Sequence, residues 1–151
     1  FDEALAVIFS LLHEERTSLK GEYFSLKEAL NNPKGPQERL PICIGGTGEK
    51  RTLPNVAKYA SHWNLPSYDK SLFTNKLNSL KLYCGEIGRD VKEIKISTHI
   101  FVEEATDEET IIEQLRTQEE AGINQSIIYF QPPVTREKVR SVTELLSNTA
   151  R

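Results

Sequence analysis

Methionine is missing from all 151 residues, and the chain opens on Phe1-Asp2-Glu3, already inside a helical pattern. Translation starts on methionine, so the expectation is a processed product or a fragment of a longer protein. Cysteine is scarce. Cys43 and Cys84 stand far apart, in neither C-x-x-C nor metal-ligand spacing, which argues against a disulfide framework or a zinc site. Two free thiols in a cytoplasmic protein are expected. Long apolar runs are also lacking: the longest, Leu5 to Leu12, is short and includes Ser10, so no membrane span is expected. No secretory or transit pattern opens the chain. Cations are not in surplus: 19 Lys and Arg against 22 Asp and Glu give a net charge of −3. A phosphate backbone therefore has little to bind to, and nucleic acid is not an expected partner.

What remains is ordinary for a soluble α/β domain, with 38% hydrophobic and 27% charged residues. Phe1, Leu5, Ile8, Phe9 and Leu12 recur at helical spacing. Alternating runs from Thr17 to Leu26 flank Lys20-Gly21 and predict a hairpin. Residues 27–41, with Pro33, Gly35, Pro36 and Pro41, predict an irregular connection.

From Leu40 the pattern becomes strand then helix, four times over. The predicted pairs are a strand at Leu40–Ile44 with a helix at Thr52–Ala60, and a strand at Trp63–Leu65 with a helix at Ser71–Ile87. They continue with a strand at Ile94–Val102 and a helix at Asp107–Ala121, then a strand at Asn124–Phe130 and a helix at Thr135–Ser147. Leu72, Phe73, Leu77, Leu80, Tyr83, Cys84 and Ile87 fall on one side of the second helix, and Gly88 and Gly122 stand where left-handed C-caps belong. Thr135 is placed to N-cap the last helix. Such alternation predicts a parallel sheet covered by helices. It is either a small open sheet or half of an eight-unit TIM barrel, which needs about 250 residues when complete. The missing start favours the half-barrel.

Gly45-Gly46-Thr47-Gly48-Glu49-Lys50-Arg51-Thr52 follows the first of these strands. Glycines let a backbone turn sharply and bring its N–H groups close to a ligand. The next helix adds unpaired N–H groups and the positive end of its dipole. Pro54 locates the helix start, with Thr52 as N-cap and Pro54 as the second helical residue. Lys50 and Arg51 stand beside the glycines, an arrangement suited to phosphate oxygens. A tight turn with solvated cations explains the spacing equally well. The loop's place at the carboxyl end of a strand favours the binding reading.

Other chemical groups are scattered. Trp63 at a strand end either walls a pocket or packs in the core. His62 reads as a turn residue, His99 as a structural strand residue, and His13 as a cation at a helix C-terminus. Gln131-Pro132-Pro133 reads as a rigid turn, and the pairs Glu103-Glu104 and Glu119-Glu120 as solvated faces. No metal-ligand cluster, nucleophile elbow or paired-carboxylate arrangement emerges.

The stretch from Pro41 through Ile42-Cys43-Ile44-Gly45-Gly46-Thr47-Gly48-Glu49-Lys50-Arg51-Thr52 to Leu53 carries a resemblance. With Val56–Ala60 and Trp63-Asn64 it resembles the middle of the bacterial luciferase-like monooxygenases, closest to their deazaflavin (coenzyme F-420)-dependent branch. Gly21–Leu26, Asn32–Lys34, Cys84–Asp90 and Ala121-Gly122 extend the resemblance, in register, over nearly the whole chain. It implies a TIM barrel of which this is the carboxyl-terminal half, so that the loop after the fifth barrel strand holds a cofactor phosphate. The implied binding residues are Gly45, Gly46, Thr47, Gly48, Glu49, Lys50, Arg51, Thr52 and Trp63. The implied cofactor is F-420, with FMN as the alternative, in a hydride-transfer or monooxygenation enzyme. Implied partners are a small-molecule substrate, the missing amino-terminal half-barrel, and a second copy in a homodimer. Two departures stand out: Ala60-Ser61-His62-Trp63-Asn64 replaces the family's Ala-Asp-Gly-Trp-Asn, and Pro54 replaces a polar helical residue. A non-catalytic half-barrel that binds phosphate compounds, and a small α/β enzyme acting on a phosphorylated substrate, are the alternatives.

Overall fold

A computed structural model describes residues 1–37 and 39–149. Glu38, inside the predicted connection, lies outside the described residues. Helix α1 spans Asp2–His13, and the hairpin follows as β1 (Thr17–Lys20) and β2 (Ser25–Ala29). Its turn is wider than the Lys20-Gly21 pair predicted, because the Glu3 carboxylate organises it. Glu3 accepts the backbone N–H groups of Glu22 (3.1 Å), Tyr23 (3.1 Å) and Phe24 (2.6 Å). Burial is the largest single influence on its carboxyl and raises the pKa, but the three hydrogen bonds together outweigh it and hold the group below the ordinary range. The hairpin also runs into the predicted connection, so the irregular stretch starts after Ala29.

The strand-helix series is β3 (Cys43–Gly45), α2 (Thr52–Tyr59), β4 (His62–Leu65), α3 (Lys70–Glu86), β5 (Lys95–Val102), α4 (Glu108–Glu120), β6 (Gln125–Phe130) and α5 (Arg136–Thr149). A short 3-10 turn, Val91–Glu93, precedes β5. The four strands form one sheet in the order β3-β4-β5-β6, every pair parallel. β3 is shorter than predicted because the chain joins the ladder only where Cys43, Ile44 and Gly45 pair with His62, Trp63 and Asn64.

One face of the sheet is the core. Ile44, Trp63, Leu65 and Ile96 pack with Leu53, Val56 and Ala57 of α2 and Phe73, Leu80 and Cys84 of α3. Ile100 and Val102 pack with Ile111 of α4 and Val142 of α5, joined by Ile128 and Phe130. Side chains alternate across a strand, so Cys43, His62, Asn64, Ser97, His99, Phe101, Ile127 and Tyr129 point to the opposite, helix-free face. The predicted apolar side of α3 holds for Phe73, Leu80 and Cys84, which are buried, and for Leu77 and Tyr83, which pack part-buried against the same core. Leu72 and Ile87 are exposed instead, 39% and 54%, because they sit at the helix's two ends, past the sheet.

The helix ends follow from the sequence. Asp69 and Asp107 accept from Leu72 N–H and Thr110 N–H, each at 2.7 Å, and Thr135 Oγ1 accepts from Lys138 N–H at 3.1 Å. Gly88 (φ +69°) and Gly122 (φ +84°) take the left-handed conformation. Around them, Gly88 N–H donates to Gly85 O and Arg89 N–H to Cys84 O, while Gly122 N–H donates to Glu119 O and Ile123 N–H to Gln118 O. Both are Schellman stops. Arg89 then reaches back to α2, donating to Ala57 O (2.8 Å) and Ala60 O (2.7 Å), so one guanidinium caps the carbonyl end of the neighbouring helix. Among the described residues no helix is long and apolar enough to cross a membrane.

Candidate functional site

The glycine loop leaves the carboxyl end of β3 and enters α2. Gly46 is gripped from both sides by the next strand: its N–H donates to Asn64 O (3.0 Å), and its carbonyl accepts from Trp63 Nε1 (2.8 Å). Its φ of +110° lies where side-chain-bearing residues are strained. Gly48 has a different reason to be glycine. A Cβ there would come within 2.9 Å of Thr52 Oγ1. The loop thus closes tightly over the Thr52 side chain.

The helix start differs from the prediction. Arg51, not Thr52, occupies the N-cap position, with no side-chain cap bond, and Thr52 is the first helical residue. Pro54 is therefore third in the helix, still inside the first turn, where its missing N–H has no helical acceptor to lose. The Leu53 N–H reaches back to Gly48 O (2.9 Å), so the loop's own carbonyl does the work expected of a cap. Among the described residues nothing accepts from the N–H groups of Thr47, Gly48, Glu49, Lys50, Arg51 and Thr52. A row of free donors opens at the positive end of α2.

Charge follows the same arrangement. Glu49 is paired with Lys76 of α3 at 2.7 Å, a contact invisible in the sequence because α3 meets the loop only in the fold. With Glu49 neutralised, exposed Lys50 and Arg51 leave the loop cationic. Asn55, which sequence reasoning also missed, is buried and ties the helix start down, donating to Arg51 O (2.7 Å) and to Asp2 Oδ1 of α1 (2.5 Å). A polar residue in the first turn, next to the apolar Leu53, Val56 and Ala57, was its only signal in the sequence.

Trp63 belongs to the core rather than to a pocket wall. It is fully buried, with its ring stacked on Phe73 at 6.3 Å. It acts on the loop from behind, through its bond to Gly46.

The helix-free face carries two further clusters. Ser97, buried, receives a bond from Asn64 Nδ2 (2.8 Å) and lies 2.7 Å from His62 Nε2. Burial, then the charge of Lys95, lowers the His62 pKa, and a neutral ring can accept the Ser97 proton. Farther along β5 and β6, the rings of His99, Phe101 and Tyr129 pack together. His13 bonds to Phe9 O and Leu40 O and so joins α1 to the chain entering β3. Cys43 is exposed and Cys84 buried, and both are free. Burial raises both thiol pKa values, so neither is an activated thiolate. Glu104 is not merely solvated: it accepts from Thr135 Oγ1 at 3.1 Å. Among the described residues no group of His, Cys, Asp and Glu has metal-binding geometry. A cavity of about 710 Å³ between Ile112, Leu115, Arg116, Ile123 and Leu146 opens at the start of β6, the end opposite the glycine loop. That end of a barrel serves packing rather than chemistry.

Comparison with known proteins bears on the fold and the family. An F-420-dependent glucose-6-phosphate dehydrogenase from Microbacterium testaceum (strain StLB037) is 27% identical over 115 residues, spanning 76% of this chain and 34% of the relative. The structure of an F-420-dependent secondary alcohol dehydrogenase with an F-420-acetone adduct superposes with a TM-score of 0.81 at 18% identity, over 95% of this chain and 59% of that one. The coenzyme F-420-dependent tetrahydromethanopterin reductase from Methanopyrus kandleri superposes with a TM-score of 0.59 at 18% identity, over 81% of this chain and 39% of its own. The chain thus spans about a third of the length of its curated relative and little more than half of the solved alcohol dehydrogenase. Its α/β fold is half of their TIM barrel. The luciferase-like monooxygenase family matches residues 1–146, nearly the whole chain, and the protein belongs to that family.

Proposed function

We propose that this chain supplies the cofactor-phosphate end of an oxidoreductase whose complete barrel binds coenzyme F-420, with FMN as the alternative. The observation that carries the reading is the row of unpartnered N–H groups from Thr47 to Thr52 beside Lys50 and Arg51. The fit is one of shape as well as charge, since a Cβ at Gly48 would stand 2.9 Å from Thr52 Oγ1 and push that side chain aside. Thr47, Gly48, Lys50, Arg51 and Thr52 hold the phosphate; Gly45 and Gly46 shape the approach, and Glu49 and Trp63 brace it. When bound, the ring of such a cofactor supplies the hydride chemistry. The residues of this chain bind and orient it, and the complementary half-barrel completes the site around a small-molecule substrate. The enzyme works as a cytoplasmic homodimer, where Cys43 and Cys84 stay reduced.

The test is titration of the full-length enzyme with F-420 and with FMN, followed by fluorescence. Lys50→Ala combined with Arg51→Ala should weaken cofactor binding by about ten- to a hundredfold, as expected for losing two charge-assisted contacts. If neither cofactor binds, or if the double variant binds as tightly as the wild type, the assignment is wrong.

A further inference from the structure

The glycine loop accounts for one end of the sheet's helix-free face but not for the aromatic cluster beside it. His99, Phe101 and Tyr129 lie on that face because their neighbours Ile100, Val102, Ile128 and Phe130 point into the helices. Phe101 pairs with Tyr129 across β5 and β6, and each is the second-last residue of its strand. The cluster therefore sits at the carboxyl mouth, the end at which the glycine loop leaves β3. Its ring centroids are 5.5 Å apart for Phe101 and Tyr129, 5.9 Å for His99 and Phe101, and 6.2 Å for His99 and Tyr129. Packing of this kind fixes the rings as one surface. Phe101 and Tyr129 are 38% and 52% exposed.

The charge around this surface is mainly negative, and the ammonium that reaches it, Lys138 of α5, is already engaged, donating to Thr106 O. Residues 96–106 and 123–135, which include both strands' exits, contain no lysine or arginine. Glu103 and Glu104 follow β5 directly, and Glu104 reaches Thr135 beyond β6. A phosphorylated substrate approaching here meets carboxylates and aromatic carbon, with Lys138 held by Thr106 O and Lys50 and Arg51 given to the cofactor phosphate. Placing its anion there costs desolvation with no free cation to compensate.

We infer that His99, Phe101 and Tyr129 form the substrate wall of the site, and that this wall takes an uncharged substrate with an apolar or aromatic face. The inference rests on the proposed cofactor reading, and it sets the substrate class apart from the sugar phosphate in the name of the glucose-6-phosphate dehydrogenase relative. The imidazole and the Tyr129 hydroxyl are the wall's hydrogen-bonding groups, suited to a hydroxyl or carbonyl. Specificity then comes from apolar area and from the absence of a charge partner.

The experiment loads the full-length enzyme with F-420 and measures binding of two probes by calorimetry, 1-phenylethanol and glucose 6-phosphate. The expected result is binding of 1-phenylethanol and none of glucose 6-phosphate. Phe101→Ala and Tyr129→Ala should each weaken 1-phenylethanol binding by about tenfold, and Tyr129→Phe by much less. F-420 affinity, read by fluorescence in the same samples, should stay within about twofold, which also shows that the variants fold. Failure of 1-phenylethanol to bind overturns the inference, as does glucose 6-phosphate binding more tightly, or equal probe affinity in wild type and both alanine variants. Failure of F-420 itself to bind overturns the cofactor reading instead, and so is distinguished from these.

Discussion

Glycine stands at three functionally distinct positions in this chain, and each has its own physical reason. At Gly21 a Cβ would lie 1.9 Å from the Glu3 carboxylate, so adding one would displace the clasp on the hairpin turn. At Gly48 the obstacle is Thr52 Oγ1, and at Gly46 it is the backbone angle itself. The sequence made the last two legible as a loop, because glycine after a strand and before a helix has few other uses. It could not show that Trp63 is the loop's anchor, since the bond to Gly46 spans seventeen residues and needs the β3-β4 pairing to form. Trp63→Phe tests that anchoring. The ring volume is largely kept, while the part-buried Gly46 carbonyl loses its donor, at a cost of about 1–2 kcal/mol. The expected outcome is lower stability in urea and weaker cofactor binding by the full-length enzyme. A variant that loses stability but keeps full cofactor affinity would show that the loop holds its shape without Trp63.

The helix stops were the most legible elements, and the reason is local chemistry. A left-handed residue, two short-range backbone bonds and a following turn all lie within six residues, so Gly88 and Gly122 announce themselves. The Arg89 contact is half legible: its position after Gly88 marks a turn, but its grip on Ala57 and Ala60 depends on α2 packing against α3. The exposed Leu72 and Ile87 were not legible, because periodicity reports a helix's apolar side and not where the sheet beneath it ends. Neither Gly88 nor Gly122 has an atom within 4 Å of where a Cβ would stand. Substitution there should therefore register backbone strain alone. Gly88→Ala and Gly122→Ala are each expected to destabilise the protein by about 1–2 kcal/mol. Their effects should add, since the two stops share no partner. Urea denaturation of the single and double variants checks both statements, and a neutral effect at either glycine would mean that its stop relaxes to another geometry.

For the whole molecule, the alternation of strand and helix was enough to give the parallel sheet but left a small open sheet and a half-barrel both open, and the family resemblance pointed to the half-barrel. What no pattern in this chain could supply is what covers the bare sheet face. Four parallel strands with helices on one side leave the other side carrying Phe101, Tyr129, His99 and Ile127. The outer edges of β3 and β6 also lack strand partners among the described residues. Parallel sheets are otherwise found with both faces covered, and unpaired edges invite pairing with another chain. The 151-residue chain by itself should therefore associate through this face in solution. Sedimentation equilibrium at tens of micromolar, the range in which exposed edges and apolar surface drive association, should give a dimer or larger species. Phe101→Glu together with Tyr129→Lys places charge on the bare face without touching the helix-side core, and should shift the distribution toward monomer. A monodisperse wild-type monomer at these concentrations would mean that the face tolerates water, and the argument that the chain needs a complementary half would fall with it.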